Sequence, residues 1–523
     1  MYTCWEEKNL RNRGEGKYRQ EKENFFLFIV FSAICYLILH NLPLAVDDFG
    51  FQQLAFHSPG EALHYVLSYG NGRLLGNGGI IFLTHHLLIG DLLRAMLLSG
   101  IAVLLPVVLQ IRNRSLAFLS MILILTVSPA IFGQTYSWLS GFQNYVPPIF
   151  LSLCGLRCLE KGGCCLSNSA RICFSILGFL CALTMQLYIE HSSCINLCLA
   201  VFVMAAVWKR KEWKTYRLPA SLFLAGAVLG TVLMGAVTLL SNPNIIEGTI
   251  GHTSYLFSGL AGLFYGIVRN GVLLLTMFSE NAISLILLSA LQTIQIMKNR
   301  ALFSKREQFL YPLSMLLPAA VFLFQLLTGL HPWYGKLAVY ESAWIILAWI
   351  FYIAAYVVSR KKLMTDTGKN ENLPIADILS GFTVIAIIPL LLIWPIGYRC
   401  LLHSGIALIG AVLLLADETL MELKPERERL IRVTVASVLA AVVICESMVF
   451  MDIRRMVSIR DASVEEQVRL GSDSAAIFLI PSPYIYEVWN EETEHYRTVD
   501  GHQVRLKILP ADVWFRMYYY HYT

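Results

Sequence analysis

Charged residues are scarce. They make up 15% of the 523 residues, against 56% hydrophobic ones. A soluble protein carries roughly 25% charge, so the shortage excludes a water-soluble enzyme. Also missing are a Walker loop, a dinucleotide fingerprint, a hydrolase serine elbow and the HExxH zinc spacing. Their absence disfavours a nucleotide-fuelled pump, and His85-His86 and the other histidines offer no metal-ligand spacing. The 12 cysteines make no disulfide framework. Most, such as Cys35, Cys181 and Cys445, sit in apolar runs, where a thiol acts as a small hydrophobe. Cys164 and Cys165 lie in a basic loop without further Cys or His, which argues against zinc. A cleavable signal is not expected, because residues 1–24 are polar and the run 25–44 is long and lacks a small-residue cleavage site. Nor is there an internal repeat, or the pair of Gly/Pro-broken spans that points to an inverted-repeat transporter. No nucleic-acid partner is expected.

What the chain does have is apolar runs of about 20 residues, the length that crosses a ~30 Å hydrocarbon core. They predict an all-α polytopic membrane protein. Thirteen spans are read at about 25–45, 92–111, 115–132, 145–161, 172–190, 192–208, 218–240, 282–298, 309–329, 340–358, 375–396, 401–418 and 433–450. Two further apolar stretches, 74–90 and 257–279, are assigned to the membrane surface by charge sorting. With both left on the surface and the N-terminus inside, 28 of the 41 Lys and Arg residues fall in cytoplasmic segments, as the positive-inside rule requires. Only Arg73, Arg94, Arg269, Lys336 and Arg399 remain in outer segments before the tail. This divides the chain into a basic cytoplasmic arm (1–24), a transmembrane domain (25–450) with a first outer loop at 46–91, and an extracytoplasmic tail (451–523). The tail contains strand-like runs at 475–480 and 504–509. All 12 histidines fall on the outer side, so any chemistry is expected to face outward.

The first outer loop opens with Val46-Asp47-Asp48-Phe49 and runs on to Asn71-Gly72-Arg73. The carboxylate pair has two readings. It can end one helix and cap the next, or it can supply a general base whose pKa is raised by apolar surroundings and a like charge. Each outer cation needs a reason. Snorkelling to headgroups suits Arg94 and Arg269. Arg73 follows a glycine that lets backbone approach a ligand, and Lys336 and Arg399 lie in tight aromatic turns suited to gripping phosphate oxygens. Two more clusters join this face. In Trp138–Tyr145 the aromatics can stack on a sugar while Gln143 and Asn144 bond its hydroxyls, although belt anchoring explains Trp138 and Tyr145 equally. Glu190-His191 is an ionisable pair at a tight turn, either functional or a structural hydrogen bond.

Together these features resemble the GT-C superfamily of membrane glycosyltransferases, nearest to uncharacterised bacterial multi-pass proteins and O-antigen glucosyltransferase-type enzymes. The resembling elements are Asp47-Asp48-Phe49 after the first helix, Asn71-Gly72-Arg73, the cap Trp138, Gly141, Asn144, Tyr145, and a late Arg399 beside a tight turn. The resemblance implies transfer of a sugar from a polyprenyl-phosphate donor to a cell-envelope glycan or lipid acceptor, with inversion. It gives Asp47, with Asp48 beside it, the catalytic role, and assigns the donor phosphate to Arg73, Arg399 and Lys336. Asn71, Trp138, Asn144, Tyr145, Glu190 and His191 are expected to bind substrate. Some superfamily members use a divalent cation; no ligand set is legible here, and no metal residue is assigned. The alternatives from other classes are a transporter or flippase, or a polymerase, of lipid-linked glycans.

Overall fold

A computed structural model describes residues 14–45, 47–54, 58–68, 71–165, 167–209, 213–241, 249–250, 253–255, 259–328, 338–367, 372–394, 396–421, 425–471, 474–477, 484, 495–499 and 502–508. Helix α1 (Gly14–Leu39) is followed by three short helices of the first loop: α2 (Asp48–Gln53), α3 (Pro59–Ser68) and α4 (Leu74–His85). Then come α5 (Leu87–Val108), α6 (Ser115–Leu125), α7 (Pro129–Phe132) with a π turn at Gly133–Ser137, α8 (Leu139–Cys164), α9 (Asn168–Thr184), α10 (Glu190–Trp208) and α11 (Trp213–Ser241). The remaining helices are α12 (Gly259–Phe278), α13 (Ala282–Lys298), α14 (Lys305–Thr328), α15 (Ala338–Thr367), α16 (Asn372–Ile385), α17 (Leu402–Met421) and α18 (Pro425–Arg469).

The molecule is all-α, and nine of its helices are long and apolar enough to cross a membrane among the described residues. Two bent pairs raise this to eleven if each is one span: α6 with α7 and the π turn, at 81°, and α12 with α13, at 76°. The run 115–132 is therefore two helices, broken where Ser128 caps α7 and Pro129 begins it. The stretch 257–279 becomes one limb of the second bend. In the stretch 74–90, α4 has 12 residues, about 18 Å of helix, too short to span. Leu87 already belongs to α5, which starts earlier than expected.

Two boundaries differ from those expected. Helix α1 begins at Gly14, inside the basic arm, and α18 runs unbroken through residue 450 to Arg469. No Gly or Pro interrupts residues 426–469, so nothing in the backbone stops the helix where the apolar run ends. After α18, β4 (Ser474–Ile477) pairs parallel with β6 (His502–Ile508), which pairs antiparallel with β5 (His495–Val499). The aromatic end of the tail lies outside the described residues. A second small sheet joins β1 (Thr249–Ile250), β2 (Thr253–Tyr255) and β3 (Ile393–Trp394), all antiparallel.

Helix α17 is the axis of the bundle. Between Gly405 and Ala416 it is apolar on every side, and its spanning stretch is wholly buried, as a helix without a polar face must be. Helices α11, α14, α15 and α18 leave Val232, Phe324, Trp344 and Met448 exposed, an apolar surface suited to lipid. Helix ends gather on two faces. One carries the start of α1, the junctions α5–α6 and α13–α14, and the end of α17. The other carries α2 and α4 and the junctions α9–α10 and α12–α13, with the segment 396–401.

Candidate functional site

The site is built on the N-terminus of α8. Asp48 is fully buried. Its carboxylate accepts from the amides of Leu139 (3.1 Å) and Ser140 (2.8 Å), the Ser140 hydroxyl (2.6 Å) and the Ala45 amide (3.1 Å). It therefore satisfies two of the orphan donors that open every helix and lies at the positive end of the dipole. Burial and the neighbouring Asp47 charge push its pKa up to about 7, against the pull of these donors. Asp48 is a clasp between the first loop and α8, with its oxygens already occupied.

Holding Asp48 presents Asp47. Its Oδ1 accepts from Trp138 Nε1 at 2.7 Å, and its carboxylate is otherwise at the surface. The protein mass around it raises its pKa, while Trp138, Ser140 and the Arg399 charge pull the other way. The Arg399 guanidinium lies over the Trp138 ring, 5.3 Å from its centroid, a cation–π contact. Gln134, from the π turn, accepts from the Arg399 amide at 3.3 Å. Trp138 thus links the acid to the cation, one through its N–H and the other through its face.

Arg73 meets the same cluster from α4. Gly72 adopts φ +68°, and a Cβ there would collide with Thr238 Oγ1 and the Met234 carbonyl. Only glycine serves both the turn and the approach to α11. Asn71 Oδ1 accepts from the Arg73 amide (3.1 Å) and from Asn77 (2.8 Å), so it closes the turn. The first amides of α4 donate to the Leu187 carbonyl, at 2.9 Å from Leu75. Gly76 lets α4 lie against Asn144 of α8. The Arg73 side chain then forks onto Glu190: Nε to Oε1 at 3.0 Å and Nη2 to Oε2 at 2.9 Å. Burial lowers the Arg73 pKa, but the Glu190 charge and hydrogen bonds outweigh it, and the net shift is upward.

Arg73 and Arg399 act electrostatically on one another and on both Tyr145 and His191. Beneath them the polar side chains continue inward. Tyr145 packs on His191 (centroids 5.1 Å apart), His191 on His403 (5.9 Å), and His403 Nε2 meets Ser192 Oγ at 2.9 Å. His403, Asn196 and Ser152 then line an apolar crevice of about 280 Å³ between α5, α8, α10, α16 and α17. Several buried atoms around the site make no hydrogen bond: Gln143 Oε1, Asn144 Oδ1, His191 Nε2 and His403 Nδ1.

The structure thus brings together Asp47, Arg73, Arg399, Trp138, Asn144, Tyr145, Glu190 and His191, with Asn71 and Asp48 as supports. Lys336 lies outside the described residues. Arg94, read as snorkelling, is instead buried and pairs with Asp91. Arg269 bonds Asn270, its neighbour in α12. Gln134 and His403 were not singled out from sequence; the signal was available, since each is a polar side chain at the end of an apolar run. Among the described residues no three of His, Cys, Asp and Glu gather closely enough to hold a metal ion. No family model matches the chain, and no curated protein matches it.

Proposed function

We propose that the chain is a GT-C-type inverting glycosyltransferase that takes a sugar from a polyprenyl-phosphate donor and passes it to a cell-envelope glycan or lipid on the outer face of the membrane. The face carrying Asp47 is outward, the N-terminus inside and the tail sheet outside. Adding α8, α9 and one span for each bent pair to the nine clear helices brings the count to the thirteen expected from the sequence. The observation that carries this reading is the convergence of one exposed carboxylate and two arginines from three distant segments beside Tyr145, His191 and His403, the last of which lines an apolar crevice.

The chemistry follows from that arrangement. Asp47 takes the proton from an acceptor hydroxyl as its oxygen attacks the anomeric carbon. The bond from that carbon to the phosphate oxygen breaks, its electron pair leaves with polyprenyl phosphate, and the centre inverts. Negative charge grows on the departing phosphate, where Arg399 and Arg73 meet it. Arg73 reaches it with Nη1, because Nε and Nη2 are engaged by Glu190. The amides of Gln143 and Asn144 suit sugar hydroxyls, and the donor's first isoprene units suit the crevice below. Membranes containing the Asp47→Asn variant should express normally yet transfer sugar from lipid-linked donors at least about 100-fold more slowly; full transfer would remove the assignment.

Glu446 favours a second reading. It is buried within α18 with Oε2 unpaired, a group that an ion-coupled transporter or flippase would need. A product assay separates the readings: sugar addition, vectorial movement of lipid, or, for a polymerase, chain elongation. Glu446→Gln should leave transfer intact if the first reading is right.

A further inference from the structure

Beside the site lies a second cavity, of about 930 Å³, roofed by the part of α18 that continues beyond residue 450. Residues 454, 457 and 461 recur at i, i+3 and i+7, one face of a helix, and all three line it, as does Arg460. Arg454 reaches across to the end of α1, donating to the His40 carbonyl (3.2 Å) and Asn41 Oδ1 (3.4 Å). On the opposite wall, Asp91 of α5 is claimed by Arg94 and by His40 (3.0 Å). Three arginines, Arg94, Arg454 and Arg460, therefore border the space with two aspartates, Asp91 and Asp461, and Asp91 is the partner of Arg94.

One of these arginines, Arg94, is only 5% exposed. Burying a guanidinium is costly unless its donors are met. Arg94 has Asp91 on Nη2 and the Tyr136 carbonyl at 3.4 Å on Nη1, while its Nε has no partner. At the rim, Arg454 uses only Nη1 in the bonds above, so its Nε and Nη2 can meet an oxyanion in two directions at once. Leu44, Gln52 and Leu139 close the cavity on the side of the Asp47 loop and α8, so a ligand there lies next to the proposed reaction centre without sharing its cations.

We propose that this cavity is a binding site for a phosphate-bearing ligand, either a lipid headgroup or a soluble phosphorylated acceptor. The claim stands whether or not the chain transfers sugar. Its test is calorimetric titration of the full-length protein in neutral detergent, with inorganic pyrophosphate, short-chain phosphatidylglycerol and short-chain phosphatidylcholine in separate runs. At least one of the first two should bind saturably. Arg454→Gln should weaken that binding by about tenfold or more, the loss of one charged hydrogen-bonding partner. Arg454 is exposed, so this variant should fold; Arg454→Lys should fall between it and the parent. Arg73→Gln, in the other cluster, should leave at parent affinity the component of binding that Arg454→Gln removes. Pyrophosphate binding identifies a soluble source, and phosphatidylglycerol without pyrophosphate or phosphatidylcholine identifies a headgroup. No saturable binding, equal binding by Arg454→Gln, or loss in Arg73→Gln instead would each overturn the site.

Discussion

The two ends of the helix bundle treat their polar groups differently. At the end where α1 begins, charges are matched. Arg360 forks onto Asp377, with Nε to Oδ1 at 2.6 Å and Nη2 to Oδ2 at 3.1 Å, and also bonds Gln295, which bonds Glu418. Asp417 accepts from the amides of Arg112 and Asn113, the latter at 2.8 Å, and Arg114 pairs with Glu23. At the end where the first loop lies, buried atoms of Arg94, Gln143, Asn144, His191, His403 and Ser404 lack partners. A buried polar group without a partner costs about 1–3 kcal/mol. A cluster of them is what a surface shaped to receive a polar ligand looks like before the ligand arrives. One end is the more finished, although Ser115, Arg171 and Gln292 toward it also hold unpartnered atoms; the other, where such atoms lie near Arg73 and Arg399, is prepared.

Three outcomes would break or sharpen this contrast. The largest lies at the finished end. Arg360→Gln leaves Asp377 without its partner and should cost about 3–5 kcal/mol of stability, read as a lowered melting temperature, while transfer per folded molecule stays unchanged. Loss of turnover in the folded variant would erase the distinction. At the prepared end Arg399→Gln should do the reverse: transfer slowed by about 100-fold, near 3 kcal/mol of barrier, with the melting temperature held. The third concerns pH. The folded pKa of Asp48, raised to about 7, means the native state keeps a proton that the unfolded chain gives up above the usual carboxylate pKa. Stability from this group should therefore be greatest in acid, fall as pH rises between roughly 4 and 7 with a slope approaching 1.4 kcal/mol per unit, and level off above that. Asp48→Asn should flatten the dependence.

Much of this was legible in the sequence, for reasons that mark where it stops being legible. Apolar length alone predicted the helices, because a bilayer leaves the backbone few other choices. Asp47, Trp138 and Arg399 stood out as polar groups in outer turns of a chain with little charge, and the structure gathers them. What could not be read was partnership. Nothing local says that Asp48 is used up by amides some 90 residues away, or that Arg73 is held by Glu190. The bends after Leu125 and Phe278 were hidden because hydropathy does not report direction. The Asp91/Arg94 pair was readable at i, i+3 spacing on α5, and missing it made Arg94 look like a surface residue. The continuation of α18 was obscured by a change from apolar to charged composition that altered the surroundings of the helix without ending it.

The two adjacent aspartates give the most direct test. Purified Asp47→Asn and Asp48→Asn should be compared at equal folded amounts for melting temperature and for sugar transfer from a polyprenyl-phosphate donor. The account predicts that Asp47→Asn melts like the parent but loses about 10²–10⁴ of its rate, the usual worth of a general base. Asp48→Asn should melt lower and keep a measurable rate in whatever remains folded. A folded Asp47→Asn that transfers sugar as fast as the parent would contradict the assignment of that carboxylate and the function built upon it.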